Sequence, residues 1–250
     1  MDESSSYKLG RLVGKKFRKA KWIWESFVGS EEESVRAEYG VGCTMTEAIF
    51  EQTLRDTDPK LQEFLEEIQC LLAKSVSNRL HRFKVMVVIE DTPTAFALPG
   101  GFIFVTRSLV EFCDNDRDEM AFVIAHEMAH VIRRHAINRV LTETALSAAA
   151  LASPSRGLFV SWFRRVGLQA LERAHSREQE FEADMLGVLL ARNAGFDPAG
   201  AVRLFERFLR LSSNHSTAGL GSYFETHPDV SERILKLREL VLHPKEPVKS

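Results

Sequence analysis

The sequence has too few cysteines for a disulfide-stabilised fold. Only three of its 250 residues are cysteines, Cys43, Cys70 and Cys113, and they are widely spaced with no C-x-x-C pair. Three isolated thiols predict neither a disulfide framework nor a thiolate zinc site, and they are typical of a reducing compartment. We therefore expect a cytoplasmic protein that is stabilised by a hydrophobic core.

Long apolar runs and an excess of positive charge are also missing. The two most apolar stretches, 145–152 and 157–163, are separated by the polar sequence SPSR, and each is far shorter than the roughly 20 residues that span a bilayer. Lys and Arg number 33 against 35 Asp and Glu, a formal net charge of -2. The sequence thus predicts no transmembrane helix, no signal peptide and no nucleic-acid partner.

Residues 1–45 are predicted to be an N-terminal extension, and residues 46–250 a single main domain. Seven lysines and arginines crowd positions 8–21, and apolar residues recur there at steps of three and four, the period of an amphipathic helix. Such a helix either contacts an anionic membrane surface peripherally or packs on the protein itself. Packing on the protein is favoured because most amphipathic helices bury their apolar face in this way.

The main domain is predicted to be α+β and mainly helical. Residues 83–89 (FKVMVVI) and 102–105 (FIFV) are rich in β-branched and aromatic residues and predict two strands. Helical periodicity predicts a long helix over residues 116–141 and another over residues 176–193.

Residues 126–130, HEMAH, have the spacing of a metal-binding helix. His126 and His130 lie about 40° apart around a helix axis and about 6 Å along it, so that both imidazoles can reach one metal ion. Glu127 is rotated by about 100° from His126, where it can accept a proton from metal-activated water. The flanking residues are apolar, and buried polar groups are costly without a partner. We therefore favour a metal site over a pair of core histidines.

A third ligand is expected from outside this motif. His135 would lie about 180° from His126 on a continuous helix, so we exclude it. Glu180 shares a helix face with Ala183, Asp184 and Gly187, and small residues allow close approach to the HEMAH helix. We assign Glu180 as the third ligand and Asp184 as an acceptor for the free N–H of a ligand histidine.

The neighbouring acidic residues Glu178 and Glu182 point about 160° away from Glu180 on the same helix. They are expected to form a solvated face.

Taken together, the motifs resemble gluzincin-type zinc metallopeptidases of the family that contains the CAAX prenyl endopeptidase, HtpX and the mitochondrial inner-membrane stress protease. The resemblance rests on HEMAH followed by ExxxD, on AFALPGG at 95–101 and on THPDVSERI at 226–234, and it extends over about residues 58–242. It implies a zincin-like fold with a small β-sheet whose edge strand binds substrate. It also implies one Zn²⁺ per chain.

The resemblance further implies roles for individual residues. Glu127 is the general base, His227 lies over the developing oxyanion, and Arg233 either braces the site or contacts the substrate carbonyl. The substrate is expected beside an edge strand near residues 102–105. The substrate-binding residues are expected to be Ala95, Phe96, Gly100, Gly101, Phe102 and Ile103.

The implied activity is that of a zinc metalloendopeptidase in protein quality control, acting on unfolded or membrane-proximal proteins. The alternative is a zinc-containing, non-hydrolysing, chaperone-like module. The sequence favours the enzyme because inactive descendants usually lose the base or a ligand. The N-terminal helix could also occupy the cleft and keep the enzyme latent. The sequence leaves the oligomeric state open.

Overall fold

The structure is a computed structural model that describes residues 30–138, 175–213, 227 and 230–242. The basic N-terminal segment and the apolar stretches at 145–152 and 157–163 lie outside the described residues. The described helices are α1 (Glu31–Phe50), α2 (Pro59–Ser75), α3 (Arg107–Phe112), α4 (Arg117–Ile132), α5 (Arg177–Asn193), α6 (Ala199–Ser213) and α7 (Val230–Leu242). The described strands are β1 (Leu54–Arg55), β2 (Lys84–Ile89), β3 (Ala95–Leu98) and β4 (Phe102–Thr106).

The four strands form one mixed sheet in the order β1-β2-β4-β3. β2 and β4 run parallel, with Val85 opposite Ile103, whereas β3 pairs antiparallel with β4 and β1 antiparallel with β2. All five residues of β4 are buried, as are the four central residues of β2. The α+β class and the mainly helical character predicted from the sequence are confirmed.

Helices α2 and α4 bury one face of the sheet. Helix α2 begins at Asp58, whose side chain accepts hydrogen bonds from the N–H groups of Lys60 and Leu61, with Pro59 in the first turn. Leu61, Leu65, Ile68 and Leu72 are buried in the same core as β2, β4 and α4. In the described part of the chain, no helix has both the length and the hydropathy of a membrane span.

Helix α4 is shorter than the sequence predicted. It begins at the N-cap Asp116, as expected, but ends at Ile132. Arg134 then adopts a left-handed backbone conformation (φ 60°), and helical backbone resumes at His135. The prediction of a continuous helix over residues 116–141 is therefore wrong, because one residue at positive φ redirects the chain.

Helix α5 packs closely on α4. Its N-cap is Ser176, the first residue of the predicted helix, which forms a capping box with Gln179. Gly187 faces the backbone of α4, where a Cβ atom would lie 3.1 Å from the amide nitrogen of His126. Ala183, one turn earlier, is fully buried. Small side chains thus bring the two helices together.

Helix α1 docks onto the turn between β3 and β4. A Cβ atom at Gly42 would lie 2.0 Å from the carbonyl oxygen of Pro99 and 2.6 Å from the ring of Phe102, so this position requires glycine. Tyr39 packs against the same Phe102 ring, with 5.1 Å between centroids and 37° between the ring planes. The helix continues through the predicted boundary between residues 45 and 46. The division itself stays a prediction.

Two glycines of α1 provide a matched test of this docking. Gly42→Ala should lower the free energy of unfolding by about 1–3 kcal/mol, since the added methyl group overlaps backbone and ring atoms. Gly40→Ala should raise it by about 0.5–1 kcal/mol, because alanine favours helix and nothing lies within 4 Å of the added carbon. Urea unfolding of both variants measures the difference, and equal shifts would contradict the docking of α1.

Candidate metal centre

Helices α4 and α5 bring the three predicted ligands together. The Nε2 atoms of His126 and His130 lie 3.0 Å apart. One carboxylate from α5 faces both: Glu180 Oε1 is 3.4 Å from His130 Nε2, and Oε2 is 3.6 Å from His126 Nε2. Each of the three side chains is at least 99% buried.

His227 joins the same cluster. Its Nδ1 atom lies 3.1 Å from each oxygen of Glu180 and 3.4 Å from His126 Nε2, so four side chains are placed where they could hold a metal ion. Its Nε2 atom lies 3.6 Å from Oε1 of Glu127. The structure thus puts His227 beside the predicted base, and its role at the oxyanion stays a prediction.

Arg233 is fully buried and holds the two carboxylates of α5. Its Nε and Nη2 atoms donate to Asp184 at 2.7 Å each, and its Nη1 atom contacts Glu180. Burial alone would raise the pKa of both acids. The charges of His227 and Arg233 outweigh burial and hold the pKa of Glu180 well below its usual value, and Arg233 does the same for the pKa of Asp184. This geometry fits the bracing role for Arg233 rather than contact with substrate.

The environment of the histidines favours donation of a ring lone pair to a metal ion. Burial lowers the pKa of His130 well below its usual value, so its imidazole is neutral. The Nδ1 atom of His126 lies 3.0 Å from Oδ1 of Asp184. The role of Asp184 as an acceptor for this nitrogen stays a prediction.

A divalent cation fits the charge of this cluster. Glu127, Glu180 and Asp184 are all buried, and the buried Arg233 contacts the last two. In their ionised forms, three carboxylates against one guanidinium leave two negative charges in excess, or one when His227 is also protonated. Buried charge is costly without compensation, and a divalent ion between the imidazoles and Glu180 would supply it.

His135 and Glu182 are not where the sequence placed them. Because the chain turns at Arg134, His135 comes back beneath His130, and their Nδ1 atoms lie 2.9 Å apart. The Nε2 atom of His135 lies 3.2 Å from Oε2 of Glu182. The expectations that His135 faces away and that Glu182 only faces solvent are therefore wrong. Spacing along a helix could not have found this pair, because the contact depends on the turn at Arg134 that redirects His135.

The strand predicted to bind substrate does not lie at an edge of the sheet. β4 lies between β2 and β3, so the main-chain groups of Phe102 and Ile103 are already paired on both sides. The expectation of an edge strand near residues 102–105 is wrong, because β3 inserts a further antiparallel strand. In the described sheet, β1 and β3 are the edge strands, and β3 carries Ala95 and Phe96 and packs on α4.

Gly100 and Gly101 form the turn that connects β3 to β4. Their φ angles of 78° and 90° favour glycine, and Cβ atoms there would overlap the backbone of Tyr39 and of Arg82, respectively. The structure therefore gives these two glycines a packing role.

The chain is similar in sequence to a known family of peptidases. The sequence profile of peptidase family M48 matches residues 56–241. The mitochondrial metalloendopeptidase OMA1 of Schizosaccharomyces pombe is 33% identical over 162 residues, which cover 63% of this chain and 46% of that protein. The beta-barrel assembly-enhancing protease of Escherichia coli is 26% identical over 211 residues, or 76% of this chain and 42% of that protein.

A third relative, the HtpX homologue of Salinibacter ruber, is 28% identical over 189 residues, which cover 63% of this chain and 67% of that protein. The chain spans less than half the length of the first two relatives.

The assignment of Glu180 can be tested against a neighbour on the same helix. Glu180→Gln should weaken zinc binding by more than the roughly 10–100-fold that is typical of losing an outer partner, because it removes the charge of the carboxylate that faces both histidines. Glu178→Gln should leave binding unchanged, since Glu178 is exposed and bonds to Ser176. Competition with a chromophoric chelator measures both affinities. Equal losses, or no loss in either variant, would contradict the assignment.

Proposed function

The chain belongs to peptidase family M48, and from this premise we propose that it is a zinc-dependent metalloendopeptidase. The observation that carries the proposal is the convergence of His126, His130 and Glu180 in one buried cluster, with Glu127 beside it. The family resemblance inferred from the sequence is confirmed by the match to residues 56–241.

We assign the metal as one Zn²⁺ ion per chain, held by His126, His130 and Glu180. Two imidazoles and one carboxylate are a common protein ligand set of catalytic zinc, which keeps a further position for water. Zinc bound there would supply Lewis-acid activation of that water and lower its pKa. Asp184 and Arg233 would keep the ligands oriented and ionised.

Glu127 is the proposed general base. It follows His126 directly on α4, so its carboxylate lies at the side of the ligand set, where it would accept a proton from the attacking water and return it to the leaving amine. His227, 3.6 Å from this carboxylate, is the proposed donor to the developing oxyanion. Because Glu127 is only 2% exposed, proton transfer to it would take place away from bulk water.

The proposed substrate is an extended segment of an unfolded or membrane-proximal protein. The free side of β3, with Ala95 and Phe96, would pair with it through main-chain hydrogen bonds, as strands do when they extend a sheet edge. One relative is named for assisting β-barrel assembly and another is a mitochondrial metalloendopeptidase. These names support a role in protein quality control, with the N-terminal segment available for peripheral membrane contact.

Casein hydrolysis by the purified, zinc-loaded chain tests the proposal. Glu127→Ala should reduce the cleavage rate by about 10²–10⁴-fold, the contribution typical of a general base, while the bound zinc is retained. Glu178→Ala, an exposed glutamate of α5, is the control and should cleave at the wild-type rate. Cleavage is followed by the release of acid-soluble fragments, and bound zinc by elemental analysis.

If the chain were a non-hydrolysing, chaperone-like module, the result would be different. The zinc-loaded wild type would then cleave neither casein nor a varied peptide library, with or without residues 1–45, and yet would suppress the aggregation of an unfolded protein. That result would overturn the peptidase.

A further inference from the structure

We infer that His135 and Glu182 are positioning residues that fix the orientation and the tautomer of the metal ligand His130, and that the backbone turn at Arg134 places them. The inference rests on the metal site of the proposed function but not on peptide hydrolysis. It concerns side chains that the HEMAH motif and the third-ligand helix do not by themselves assign.

The contacts form one continuous path from the ligand set toward the surface. The Nδ1 atoms of His130 and His135 lie 2.9 Å apart, and both side chains are buried. His135 Nε2 lies 3.2 Å from Glu182 Oε2, and the other oxygen of Glu182 lies 3.0 Å from Nε of Arg133. Glu182 is 39% exposed, so this path ends at the protein surface.

When His130 binds a metal ion, the position of each ring hydrogen along this path is fixed. If His130 presents the lone pair of Nε2 to the metal, its Nδ1 atom must carry the hydrogen. That N–H donates to Nδ1 of His135, which must therefore be unprotonated. The remaining hydrogen of His135 lies on Nε2 and donates to the carboxylate of Glu182. A carboxylate that acts through a second imidazole thus increases the basicity of the ligand, as outer partners of metal-bound histidines do.

The backbone turn that places His135 is energetically unfavourable at Arg134. A left-handed conformation is unfavourable for a residue other than glycine, so neighbouring contacts must hold it in place. Both Nε and Nη2 of Arg134 contact Oε1 of Glu38, at 2.8 and 2.7 Å, and Glu38 is 98% buried on α1. Helix α1 precedes the family match, yet it holds the residue that directs His135 to His130.

The competing hypothesis is that these histidines bind a second metal ion. His130, His135 and His175 are close enough together to be considered as ligands. However, the rings of His130 and His175 stack, with 3.8 Å between centroids and an angle of 28° between planes. The lone pairs of stacked rings run side by side and do not converge on one ion. The Nδ1 atom of His130 also needs its hydrogen when Nε2 binds a metal. The geometry therefore favours the hydrogen-bonded path.

Two substitutions at His135 separate positioning from packing. His135→Phe keeps the ring but removes the acceptor, and it should lower zinc affinity by about 10–100-fold. His135→Asn is smaller but places an oxygen near the position of Nδ1, and it should recover most of that loss. Zinc affinity is measured by chelator competition on the full chain, and cobalt(II) absorption reports whether the ligand geometry changes in the Phe variant and returns in the Asn variant.

A role in packing alone would reverse this order, with near wild-type affinity for the Phe variant and weaker binding for the Asn variant, and would overturn the inference. Equal affinities in both variants would overturn it too. Two zinc ions per wild-type chain would support the second metal site instead.

Glu182→Gln covers the case in which the Phe variant fails to fold. It should weaken zinc binding, whereas Glu178→Gln on the same helix should not, and equal affinities of these two variants would overturn the inference. The series also separates this inference from the proposed function. A wild type that binds one zinc ion and follows the predicted order, yet does not cleave casein, would contradict the peptidase alone.

Discussion

The close contact of α4 with α5 is the constraint on which the site depends. A carboxylate on one helix can face two imidazoles on the other only if the backbones approach to within the reach of a short side chain. Gly187 and Ala183 allow this approach because neither places bulk between the helices. The same approach removes Glu180 and Asp184 from water. The packing that builds the ligand set therefore also creates an electrostatic cost.

Arg233 offsets much of that cost. Its guanidinium bridges the two carboxylates of α5 and lies 4.7 Å from the centroid of the Phe205 ring, so that its charge is compensated on one side and covered by an aromatic face on the other. Arg233 comes from α7, and α5 and α6 both pack on α7. The electrostatics of the site therefore also depend on α6 and α7, which carry none of the three proposed metal ligands.

The parts of the site that the sequence predicted are those governed by spacing within one helix. The turn of an α-helix relates His126 to His130 and Glu180 to Asp184, and apolar or small neighbours show which face is buried. The errors arose where a single backbone angle or the order of the strands decides the outcome. Arg134 carries no sequence signal for positive φ, since its conformation depends on a contact with Glu38, 96 residues earlier. Likewise, the position of β3 beyond β4 follows from pairing between strands, which the strand sequences alone do not determine.

Helix α1 lies outside the region that matches the family, yet it packs on that region. The family match begins at residue 56, after α1 has ended. Yet α1 fills the surface over the turn between β3 and β4, and it supplies the carboxylate that holds Arg134. A fragment cut at the start of the homologous region would expose the Phe102 ring to water and leave a strained turn without its ion pair. The contacts of α1 therefore extend beyond the homologous region, and a fragment for expression is defined better by these contacts than by the alignment.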